Sequence, residues 1–451
     1  MTRAARRGPS GHRDRPAESA HTTQPTHRAQ RHTGWCWRRV MRGAVAGALG
    51  AATTLSPALQ LTTAHAAEQC GQRTSTVLLP ETSYPLVAYG ADQLSRLATG
   101  AGVTVAVVSS GVTAANPHFR VAAGDVVLPG TTLLTATDQS TAQYVDAQGH
   151  TDPLELGTAA AGLVAARRLD GSGVMGLAPG ATILPIQAYG VLPSEEARLA
   201  PLVPTPARLA SGIRYAVQHG ARIILVPLSI PTGSADLEAA VTEATAAGSL
   251  VVAGAGERTA TGATPDTARY PAAYPSVLAV SAVSQRGVPV ASTVRGSFVG
   301  VAAPGEGLNT TFGAFGDCVV GEAPTSGYAA ALTAATAALV AQRFPDAGPA
   351  MWKYRIESAA IRPVSDQHDP ALGWGLLSPY DALTLTLDTA RPGPTAPGSV
   401  REVLPVAVVA ADPIAVAPDP LDDSRRLGLW LGGIALAGAL ALRMIRSLRA
   451  R

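Results

Sequence analysis

The chain predicts an α/β fold around a central parallel sheet. Short β-branched runs recur without polar alternation, as at 103–108, 222–226 and 250–253. Stretches with helical spacing, roughly 10–15 residues each, separate them. Glycine and proline, 46 and 35 of the 451 residues, punctuate the boundaries. Strands that are apolar on both faces need cover on both faces, and crossover helices supply it.

The first strand is predicted over 103–108, bounded by Gly102 and Gly111. A helix over 154–168 and a strand over 181–186 follow. Residues 205–219 carry a helical pattern, and 222–226 the next strand. Helix 236–247 precedes strand 250–253, and 277–283 and 298–302 add two more strands. The last long element is an alanine-dominated helix over 328–343, with Pro345 as a stop just beyond. Side chains this small let other elements approach the helix axis closely.

Charge is unevenly placed. Ten of the 35 basic residues and two of the 32 acidic ones fall within residues 1–66, which leaves the remainder five charges negative. A nucleic-acid binder keeps its basic stripe in the folded part, so that class is excluded. Lys353 is the sole lysine. No His/Cys/Asp spacing suits zinc and no glycine loop leads into Lys-Ser/Thr, so neither metal nor cofactor is expected.

Residues 1–37 have no hydrophobic periodicity, and Met41 is an alternative start. Arg38, Arg39 and Arg42 precede an apolar run over 43–59, and Ala64-His65-Ala66 fits a cleavage pattern. Together they read as a secretory signal peptide; a first transmembrane helix is the alternative. Paired Arg38-Arg39 also suits twin-arginine export. Export leaves Cys70 and Cys318, which in an oxidising compartment imply one disulfide, the alternative being two buried thiols. At the other end 427–442 is uncharged, with Trp430 near its start and Arg443, Arg446, Arg449 and Arg451 after it. Sixteen residues of helix reach about 24 Å, and a snorkelling Arg443 extends that span. The arginines place the tail in the cytoplasm and the α/β domain outside.

Several segments resemble subtilisin-like serine proteases in the family's order. Tyr328-Ala329-Ala330-Ala331 meets the Phe-Ala-Ala-Pro of the nucleophile helix, and Ala337-Ala338-Leu339-Val340 its Ala-Ala-Leu-Val. The strand ending Ser109-Ser110-Gly111 resembles Asp-Thr-Gly, and Leu156-Gly157-Thr158 resembles His-Gly-Thr. Ala255-Gly256-Glu257 resembles Ala-Gly-Asn; Gly176-Leu177-Ala178-Pro179, Tyr270-Pro271, Pro304-Gly305 and Gly373-Trp374-Gly375 complete a collinear set over roughly 80–385. A leader, two flanking cysteines, a Pro-rich linker and a C-terminal anchor make the chain look like a mycosin, the membrane-anchored branch tied to type VII secretion.

The resemblance implies a three-layer sandwich and these boundaries: basic extension and leader 1–66, peptidase-like domain 67–390, Pro/Ala-rich linker 391–426, membrane helix 427–445, basic tail 446–451. It also implies a degenerate site. The triad positions fall on Ser109, Leu156 and Gly327, and the oxyanion position on Glu257. A triad needs a base and a carboxylate to orient it, and an oxyanion site needs donors rather than a negative charge. The expectation is an inactive pseudoprotease, structural or peptide-holding, docked to a type VII secretion membrane complex. The alternative is an active serine endopeptidase with a rearranged site. It would use Ser326, if the helix start carries a one-residue insertion, with His150 beside Asp152 as base. His118, after the first strand, is expected to be structural.

Overall fold

The computed structural model describes residues 75–121, 124–192, 197–258, 267–322, 324–387, 392–399 and 422–449. The proposed leader, Cys70 and most of the linker lie outside these. Eleven strands occur among the described residues: β1 (Thr104–Ser109), β2 (Arg120–Val121), β3 (Gly124–Asp125), β4 (Thr131–Thr132), β5 (Thr182–Gln187), β6 (Ile223–Val226), β7 (Leu250–Gly254), β8 (Leu278–Val283), β9 (Val299–Pro304), β10 (Leu308–Thr311) and β11 (Asp317–Val320). The helices are α1 (Tyr84–Ala88), α2 (Ala91–Leu94), α3 (Gln139–Ala142), α4 (Leu156–Ala165), α5 (Pro206–Gln218), α6 (Ala235–Ala246), α7 (Ser326–Arg343), α8 (Gly348–Ala359), α9 (Pro379–Thr384) and α10 (Asp422–Arg449).

Seven strands form the parallel sheet predicted from the apolar runs, in the order β4-β5-β1-β6-β7-β8-β9. Side chains alternate between two cores, as a period of two demands. Val105 and Val107 of β1 point into the core shared with α4, α7 and α8, while Ala106 and Val108 point into the one shared with α5 and α6. The result is three layers. From β1 the chain goes to β5 on one side and then to β6 on the other. The strand order therefore switches between β1 and β6, and ligands of open α/β sheets bind at the carboxyl ends beside such a switch.

Helix α7 runs through the middle of one core with 15 of its 18 residues buried. A helix hydrophobic all round belongs inside. Its Thr333 and Thr336 hydroxyls donate back to the carbonyls of Ala329 and Leu332, at 2.9 and 3.0 Å, so neither is left unsatisfied. The helix starts two residues earlier than predicted, at Ser326, because Thr325 extends and caps it: the Tyr328 N–H donates to the Thr325 hydroxyl.

Other boundaries differ too. Helix α4 is shorter at both ends than predicted. The β10–β11 hairpin, absent from the sequence reading, packs across α4: the Thr310 and Thr311 hydroxyls donate to the carbonyls of Ala159 and Thr158, both at 2.8 Å. Gly162 permits that approach, since a Cβ there would lie 2.2 Å from the Thr311 Oγ1. Residues 392–399, assigned to the linker by composition, pack on the domain instead, with Pro394 and Ala396 buried. At the C-terminal end α10 begins at Asp422, five residues before the predicted span, and an 18-residue window within Ser424–Arg449 has a mean hydropathy of 1.7. It is long and apolar enough to cross a membrane.

Candidate active-site region

The carboxyl edge of the sheet at the switch point carries the positions singled out from the sequence. Ser109 ends β1, Pro227 follows β6, and Gly254 ends β7. Gly157, next to Leu156, packs on β1 so closely that a Cβ there would lie 3.1 Å from the Ser109 Cβ and 2.0 Å from the Gly111 carbonyl. Gly327 faces the Pro227 carbonyl oxygen, and Gly254 faces Ser326. Ser109, Leu156 and Gly327 thus lie along one stretch of the edge.

Ser109 is fully buried, and its hydroxyl lies 3.0 Å from that of Tyr189. Burial holds the Tyr189 phenol far above its ordinary range, and the Ser109 hydrogen bond only partly offsets this. Two neutral hydroxyls therefore face each other at the end of β1. Leu156 opens α4, half-buried, against the α5/α6 core. It offers no atom able to take a proton. Tyr189 was not anticipated, since a lone tyrosine after a strand carries no pattern of its own.

A buried carboxylate, Asp152, bonds to Ser110 beside Ser109 and is committed to the α4 N-terminus. It accepts from the Thr158 N–H at 2.7 Å, the Thr158 hydroxyl at 2.8 Å and the Ser110 hydroxyl at 2.5 Å. Burial pushes its carboxyl up, and these bonds oppose the shift. Glu155, in the left-handed region at φ 56°, occupies the N-cap of α4. Its carboxylate accepts from the Gly313 N–H at 2.8 Å, in the turn between β10 and β11. Burial, aided by the charge of Asp152, pushes Glu155 up to about 7. Asp152 acts also on Tyr189 and on Tyr328, whose phenol burial raises to about 12, so one charge touches the surroundings of β1, α4 and α7 together.

At the start of α7 the geometry is closed. Gly327 is buried, and a Cβ on it would lie 2.2 Å from the Pro227 carbonyl oxygen. The backbone has moved into the space a serine side chain needs. Ser326 is 1% exposed. Its hydroxyl accepts from the Gly256 N–H at 3.0 Å and donates to the Glu257 carboxylate at 2.7 Å. The same carboxylate oxygen accepts the Ser326 N–H at 2.6 Å. Glu257 therefore lies on the N-terminal pole of α7, where a helix dipole and free N–H groups favour an anion. An anion site of this kind would serve a developing oxyanion; here a side chain of the same molecule holds it.

His150 is not brought to Ser326. Its Nε2 lies 3.0 Å from the Leu128 carbonyl, and it borders a cleft of about 450 Å³ shared with Asp152, Glu155 and the hairpin tip. His118 is fully buried: Nδ1 meets the Arg167 carbonyl and Nε2 meets Asp317, both at 2.6 Å. Cys318 is buried on β11, while its expected partner Cys70 lies outside the described residues. Among the described residues no cluster of three His, Cys, Asp or Glu could hold a metal ion.

Comparison with known proteins agrees with this fold. Residues 100–375 match the subtilase family. Subtilisin E of Bacillus subtilis (strain 168) is 30% identical over 285 residues, which is 61% of this chain and 66% of that protein, so the chain spans about two thirds of its length. Mycosin-1 of Mycolicibacterium smegmatis (strain ATCC 700084 / mc(2)155) is 31% identical over 403 residues, 78% of this chain and 83% of that protein. The crystal structure of MycP1 from the ESX-1 type VII secretion system is similar at a TM-score of 0.58 and 25% identity, over 69% of this chain and 89% of that one. With its seven-stranded parallel sheet and buried central helix, the chain belongs to the subtilase family, as a mycosin-like member.

Proposed function

We propose that this chain is a membrane-anchored pseudoprotease with a structural or peptide-holding role at a type VII secretion complex. One observation carries the reading: the Glu257 carboxylate occupies the pole of α7 beside a Gly327 that has no room for a side chain. Proton transfer needs a base within hydrogen-bond reach, and Leu156 supplies none. A subtilase core does not depend on its reactive side chains, so the scaffold survives their loss. The anchor is α10, with Arg443, Arg446 and Arg449 on the cytoplasmic side and the domain outside. A Cys70–Cys318 bridge fastens the mature N-terminus to the hairpin. The likeness to mycosin-1 and to MycP1 supports the secretion context.

A second reading keeps activity. The 2.7 Å contact lets Glu257, rather than His150, draw a proton from Ser326. The 1% exposure of Ser326 weighs against it. A fluorophosphonate probe on the purified full-length chain separates the two. No labelling is expected; labelling at Ser326 establishes the second reading. Purification from mild detergent tests the context: channel subunits of a type VII system are expected to come with the chain, and a lone monomer counts against the role.

A further inference from the structure

The amino edge of the sheet, opposite the degenerate site, holds a cleft of about 500 Å³ between the starts of β8 and β9, helix α8 and the 392–399 segment. Glu357 of α8 lines it. Its side chain is only 10% exposed, yet no hydrogen bond reaches its carboxylate among the described residues; the nearest cation is Lys353 Nζ at 3.9 Å. That ammonium is held elsewhere, donating to the Pro275 and Val277 carbonyls at 2.6 and 2.9 Å. At 3.9 Å no hydrogen bond forms. Gly300 makes room for the carboxylate: a Cβ there would lie 2.8 Å from Glu357 Oε1.

A carboxylate taken out of water without donors is costly, and burial pushes Glu357 up against the opposing charge of Lys353. The walls suit a cation. His368 and Trp374 stand edge to face at 5.3 Å, and Trp374 already takes one guanidinium, that of Arg362, at 5.8 Å from its ring. We infer that this cleft is a receptor for a guanidinium or alkylammonium group, whose N–H donors complete the Glu357 carboxylate while the aromatic walls hold its apolar stem. The inference is independent of whether the Ser326 site reacts. The group reaches the cleft either on a free organic cation or on a basic side chain of a partner protein.

Equilibrium binding to the full-length chain in detergent tests this with N-acetyl-arginine amide and its neutral isostere N-acetyl-citrulline amide. The arginine probe is expected to bind at least tenfold more tightly, and Glu357→Gln to remove that preference. Equal binding of the two probes, or an unchanged preference in Glu357→Gln, overturns the inference. Should Glu357→Gln fail to fold, Ala350→Arg keeps the test open: Ala350 is exposed on α8 and lines the cleft, so its replacement supplies a guanidinium in place. Wild-type affinity for the arginine probe in Ala350→Arg also overturns it. Agmatine matching an arginine-centred octapeptide assigns a small molecule as the source; a tenfold advantage for the peptide assigns a partner's side chain.

Discussion

Under the proposed function, two clusters in this molecule divide between them the parts and the place of a serine protease site. Half-buried Ser172 and fully buried His118 and Asp317 form a trio away from the switch point, with Ser172 donating to Asp317 at 2.6 Å and His118 pairing with it at 2.6 Å. At the switch point stand Ser109, Leu156 and Gly327, which under the proposed function are the vacated triad positions. The trio is inert for a geometric reason. Both ring nitrogens of His118 face oxygen acceptors, so neither is free to take a proton from Ser172. Asp317 also accepts the Leu79 N–H at 2.8 Å, which makes the trio a staple between the N-terminal segment, the loop after α4 and the hairpin. Residue types alone do not make a triad; access and an open lone pair do.

The comparison breaks most visibly at the staple. Asp317→Ala leaves a buried imidazole facing an empty site and is expected to cost about 3–5 kcal/mol in denaturant unfolding. A loss below about 1 kcal/mol would mean the trio holds little together.

Glu155 gives the next largest effect, through pH. Its carboxyl is raised from 4.5 to about 7, so the folded state favours the protonated form. That contribution is fully present below the unfolded value and is lost as pH rises through about 7. Wild type should lose up to about 3 kcal/mol relative to Glu155→Gln between pH 4.5 and 7, and little beyond. Parallel stability curves for the two proteins would show that Glu155 titrates normally.

Gly327→Ser sharpens the contrast at the start of α7. Forcing a side chain against the Pro227 carbonyl should cost about 1–3 kcal/mol, measured as a fall in denaturant midpoint, without creating fluorophosphonate reactivity. The smallest effect belongs to Glu257→Ala, which uncovers the α7 pole. Loss of this capping carboxylate is expected to cost about 1 kcal/mol. An exposed anion site should then appear, detectable as stabilisation by sulfate; an unaltered midpoint would show the carboxylate does not hold the pole.

Much of the fold was legible because its elements are locally dictated. Apolar β-branched runs mark the strands of the parallel sheet, and the alanine run marks α7. Helix α8 was legible too and passed over: Pro349 sits in its first turn, and Trp352, Ile356 and Ala359 recur on one face. The hairpin was not, because Leu308–Thr311 and Asp317–Val320 are four residues each and owe their strands to pairing with one another. The pairing of Glu257 with Ser326 was equally hidden, since the partners stand 69 positions apart.

From its residues alone this chain determines its layers and the buried helix at their centre. Those follow from periodicity, composition and order along the chain. Only the tertiary structure decided that Gly327 is walled in by Pro227 and that Glu257 holds the helix pole. It also decided that His118 is sealed between two acceptors. The reason is physical: hydrogen-bond partners and free volume arise where distant segments meet, and no local pattern encodes them.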